Sequence, residues 1–77
     1  MPTKYKIELD DVDLGQALDG LELRAEAWEK TAHYLRTGEC PAGIVVEECS
    51  KPEEADGIAN HYRDIIAKIR SQMEAQI

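Results

Sequence analysis

Leu14, Leu18, Leu21, Ala25, Trp28, Ala32 and Leu35 follow one another at steps of four and three residues without a break. On an α-helix this spacing forms one continuous apolar seam, whereas on a strand the same residues would scatter over both faces. Residues 12–37 are therefore predicted to form one long helix. Asp10 and Asp11, just ahead of it, supply capping oxygens. Glu26 stands four residues before Lys30, the favourable order for a helical ion pair. Gly15 and Gly20 each weaken the early turns by up to about 1 kcal/mol relative to alanine, which leaves open a kink or a start only near Asp19. Gly38 after Thr37, with Pro41 beyond, reads as a left-handed helix cap.

A second seam, Ala55, Ala59, Tyr62, Ile66, Ile69 and Met73, repeats the spacing and predicts a helix over residues 51–76. Ile58 and Ile65 widen this stripe beyond what one neighbouring helix needs. Ser50-Lys51-Pro52-Glu53 fits a capping box with proline in the first turn. Tyr5, Ile7 and Leu9 alternate with Lys4, Lys6 and Glu8, the pattern of a strand with one apolar face over residues 3–9. Residues 43–48, with β-branched Ile44, Val45 and Val46, fit either a short strand or an extended loop. The expected fold is mainly α: one domain, an antiparallel hairpin of two long helices with one or two short strands, in the order β-α-(β)-α.

With 77 residues and no Phe, the chain has a small core. Domains this size usually gain stability from disulfides, a metal or a partner chain. Sixteen Asp and Glu against nine Lys and Arg give a formal net charge of −7. That balance repels phosphate and argues against direct binding of nucleic acid. It favours a protein partner with a basic surface, to which the opposite field steers it. Asp10, Asp11 and Asp13 interrupt any candidate leader in residues 1–20, and no apolar run approaches a membrane span. The expected compartment is the cytoplasm, where Cys40 and Cys49 stay as thiols.

Little in the sequence suggests catalysis or a cofactor. His33, Cys40, Cys49 and His61 have no standard zinc spacing, and His61 lies roughly 15 Å along the second helix from its start. Neither cysteine has an evident base and orienting group, and no calcium-loop or phosphate-loop pattern occurs. The chain is expected to be non-enzymatic and to carry no metal or other cofactor. The clearest polar concentration lies at the turn of the hairpin. Glu39, Glu47, Glu48, Glu53, Glu54 and Asp56 gather there against mainly Arg36 and Lys51. Glu53, Glu54 and Asp56 also complement a helix N-terminus. Glu39, Glu47 and Glu48 have no such role, and they point to an acidic pole that meets a basic partner.

Behind the first seam, Gln16, Gly20, Leu23, Ala27, Thr31 and Tyr34 form an uncharged stripe at about 100° per residue. A solvated helix face is normally charged, so this stripe is expected to be an interface, with a homodimer as its simplest form.

In size, acidity and absence of catalytic motifs the whole chain resembles small accessory proteins of phages and prophages, of the anti-CRISPR or counter-defence inhibitor kind. That resemblance implies a protein that occludes a basic surface of a host defence or nucleic-acid-binding protein, in the host cytoplasm. Two other readings remain. An oligomer sequestering a nucleotide would use Lys4, Lys6, Arg63, Lys68 and Arg70. A small helical enzyme would need carboxylates on facing helices, whereas Glu22, Glu26 and Glu29 fall on a surface flank.

Overall fold

A computed structural model describes residues 2–39 and 49–77. Two helices, α1 (Asp11–Thr37) and α2 (Pro52–Ala75), pack side by side as an antiparallel hairpin. The long first helix is confirmed over its whole predicted length, with no later start at Asp19. Asp10 caps it from an extended backbone, and its Oδ1 accepts a hydrogen bond from Asp13 N–H at 2.8 Å. Asp11 and Asp13 then add negative charge where the helix dipole is positive. These gains outweigh the weakness of Gly15 and Gly20. At the far end Gly38 takes the left-handed conformation, with φ at 77°, and its N–H donates to Tyr34 C=O at 2.7 Å.

Helix α2 begins one residue later than a capping box would place it. Pro52 occupies the first helical position, where its missing N–H is harmless, and Lys51 becomes the cap residue. Lys51 makes no side-chain capping bond, so the Ser50–Glu53 box does not form.

Both seams face inward. Leu18, Ala25, Trp28 and Ala32 of α1 are buried, as are Ala55, Ala59 and Ile66 of α2. Leu35, Ile58, Tyr62 and Cys49 close around the cluster of Trp28, Ala32, Ala55 and Ala59. The alanines let the backbones approach near the turn, and Trp28 fills the space beside them. The molecule measures 44 × 31 × 17 Å. Its thinnest dimension is less than two helix diameters of about 10–12 Å, so a single layer of helix leaves each outer face uncovered.

The expected strand at residues 3–9 is not formed, and no strand occurs among the described residues. A strand is defined by its hydrogen-bonded neighbour, and the described residues offer this segment none. Its apolar face is left open, with Tyr5 80% and Ile7 76% exposed. The alternative strand at residues 43–48 lies outside the described residues.

Candidate functional site

The end of α1 and the start of α2 meet at one pole of the hairpin, locked by an ion pair from Arg36 to Asp56. This bond holds the Asp56 carboxyl below its ordinary pKa and raises that of Arg36, each effect arising first from the hydrogen bond between them. Glu53 and Glu54 stand exposed in the first turn of α2, and Glu39 is exposed just beyond Gly38. Among the described residues the ionisable group beside Glu39 is His33, with Nε2 3.8 Å from the carboxylate. The structure thus brings Glu39, Glu53, Glu54 and Asp56 to one end, with Asp56 engaged by Arg36. Glu47 and Glu48 lie outside the described residues.

Two further bridges cross between the helices. Arg63 binds Glu29 through both Nε and Nη2, the latter at 2.8 Å, and Arg70 binds Glu22. The Glu29 hydrogen bond comes first among the influences that raise the Arg63 pKa. With Arg36–Asp56 these bridges form a ladder that steps by seven residues on each helix, in opposite directions. Arg63 and Arg70 are therefore not free anion contacts, as a nucleotide-binding oligomer would require. Glu22 and Glu29 face arginines rather than lying on an idle flank. Sequence reasoning overlooked this ladder because it weighed each helix's charges separately. The signal was present: Glu22, Glu29 and Arg36 border one seam at heptad spacing, and Asp56, Arg63 and Arg70 border the other.

No protein-family model, curated protein or solved structure matches this chain.

The uncharged stripe on α1 is not one continuous open surface. Gln16, Gly20 and Leu23 are exposed, Ala27 and Tyr34 are half-buried, and Thr31 is fully buried. Thr31 follows Trp28 by three residues, which puts it about 60° round the helix from the seam's largest side chain. It belongs to the shoulder of the core rather than its back. Its hydroxyl donates to Ala27 C=O at 2.7 Å, the internal bond that lets a buried threonine stay satisfied.

Among the described residues no group of three His, Cys, Asp or Glu side chains is placed to hold a metal ion. Cys49 is a free thiol packed on the core, and its Sγ donates to Lys51 C=O at 3.1 Å. Cys40 lies outside the described residues. No helix there is long and apolar enough to cross a membrane.

Proposed function

We propose that this chain is a non-catalytic binding protein that captures a basic surface of a protein partner with its acidic pole. The division of charge between the bridged line of the two helices and the turn supports this reading most. Arg36, Arg63 and Arg70 are engaged in bridges between the helices. Glu39, Glu53 and Glu54 face solvent with no Lys or Arg in bridging distance among the described residues. Folding thus cancels the charges along the line between the helices and leaves these three carboxylates at the turn unbridged. Such a pole attracts positive potential and accelerates encounter. A partner surface built to hold a phosphate backbone presents the matching field, and a small acidic protein seated there would exclude nucleic acid. This is the mode of action implied by the likeness to small phage inhibitors.

The test is affinity capture from host lysate with the unmodified chain and with Glu39→Lys/Glu47→Lys/Glu48→Lys. The reading predicts a captured protein with a basic surface, released by moderate salt. It also predicts that the triple reversal slows association several-fold and flattens its salt dependence. A partner that binds both proteins at the same rate across ionic strengths would contradict it.

A further inference from the structure

The open end of the hairpin carries an unpaired segment with exposed apolar side chains. Residues 2–9 make no hydrogen bond to any described residue, and Asp10, which follows them, is extended, at φ −73° and ψ 172°. Tyr5, Ile7 and Leu9 are exposed and border an open groove of about 810 Å³, whose other wall includes Leu14, Ile69 and Met73. The groove is walled mainly by apolar side chains, with Glu8, Asp11, Gln72 and Gln76 at its rim, and the segment beside it has no backbone pairing among the described residues.

We propose that this segment pairs with the same segment of a second copy, forming a two-stranded antiparallel ribbon centred on Ile7 whose apolar face closes the grooves of both hairpins. The charge order selects this occupant. From residue 4 to residue 10 the polar face reads Lys4, Lys6, Glu8, Asp10, and the apolar face reads Tyr5, Ile7, Leu9. Antiparallel pairing about Ile7 places Lys6 opposite Glu8 of the partner subunit and Lys4 opposite Asp10 of the partner subunit. Tyr5 then meets Leu9 of the partner subunit, and Ile7 meets its own copy. Every cross-strand pair joins opposite charges or apolar groups, the combinations that stabilise a sheet.

Neighbouring alignments fail. Centring on Lys6 sets two lysines face to face, centring on Glu8 sets two glutamates face to face, and parallel in-register pairing opposes every charge to its like. A shift by one residue puts lysine and isoleucine on the same face. The segment is thus complementary to itself in one register. The pairing is also two-fold, so the same register on both copies makes a symmetric dimer. The ribbon supplies hydrogen bonds along one edge of the N-terminal segment and covers apolar side chains that a single copy leaves exposed.

Sedimentation equilibrium of the full chain over a concentration series tests this, using Lys6→Glu, Glu8→Lys, the double swap Lys6→Glu/Glu8→Lys, and Leu23→Glu. The unmodified chain is expected to dimerise. Each single reversal should weaken the dimer about tenfold or more, because two opposed pairs become two like pairs. The two reversals change the net charge in opposite directions, so a shared loss cannot come from overall repulsion. The double swap restores both opposed pairs and should restore the dimer. Leu23→Glu, on the exposed part of the α1 stripe, should leave it intact. A monomer throughout the series would overturn the proposal. So would single reversals without effect, a double swap that fails to recover, or dissociation by Leu23→Glu.

Discussion

Trp28 concentrates the risk of the fold in one side chain. It is the largest apolar group in the core cluster, and its neighbours Ala32, Ala55 and Ala59 cannot expand to fill its place. Replacing it by alanine should cost about 3–5 kcal/mol, much of the stability of a small domain. The indole also carries a penalty of its own. Its Nε1–H is buried without an acceptor, while the Arg24 guanidinium lies over the ring at 5.8 Å. A buried unpaired donor costs roughly 1–3 kcal/mol. Trp28→Phe removes that donor along with part of the ring, so it should destabilise far less than Trp28→Ala. Urea denaturation of the two variants checks this, and equal losses would mean the ring's volume and its N–H do not oppose each other.

At the scale of the helices, charge selects orientation where the seams alone do not. Two heptad seams can pack in either direction. Aligned in parallel through Glu29 and Arg63, they would set Glu22 against Asp56 and Arg36 against Arg70. The antiparallel pair meets opposite signs at all three steps. Exposed bridges add little stability, so the ladder acts mainly by excluding the parallel arrangement. Its pH behaviour follows from Asp56. The Arg36 bond depresses the Asp56 pKa below its ordinary value of 3.8, so the carboxylate's contribution is complete above that value. It is lost as pH falls through the depressed pKa. Asp56→Asn should therefore be less stable than the unmodified chain at pH 7, with the gap closing in strong acid. Denaturant midpoints at pH 7, 4 and 2.5 measure the gap, and a constant difference would exclude the bridge as its source.

The helices were legible in the sequence because a seam such as Leu14 to Leu35 depends only on residues near in the chain. The cap at Gly38 was legible for the same reason. The strand at residues 3–9 was read from a true alternation, but strand formation also needs a neighbour, which periodicity cannot report. The capping box failed because Pro52 fixes the first helical residue more firmly than Ser50 can choose the cap. Of the candidate site, the gathering of Glu39, Glu53, Glu54 and Asp56 follows from the hairpin itself. The arginine bridges depend on register between helices, which becomes visible only when the two heptads are read against each other. Thr31 was assigned to the wrong face because its wheel position lies between core and back.

The whole molecule has two ends with different chemistry. One end carries the exposed Tyr5, Ile7 and Leu9 beside the groove, together with the carboxylates of Glu8, Asp11 and Asp13. The other is acidic and built on helix termini, with Glu39, Glu53 and Glu54 uncovered. Self-association through the first end would leave the second free on both copies, and a dimer would present two acidic poles to a partner. The flank between the ends carries the bridged charges. The central claim, that the turn of the hairpin is the surface that captures positive charge, is tested most directly by NMR titration with a short oligo-arginine peptide. Amide shifts are predicted to concentrate at Glu39, Glu53, Glu54 and their neighbours, and to collapse with added salt. Equal shifts at Asp11, Asp13, Asp19 and Glu26, or shifts confined to that opposite half, would contradict it.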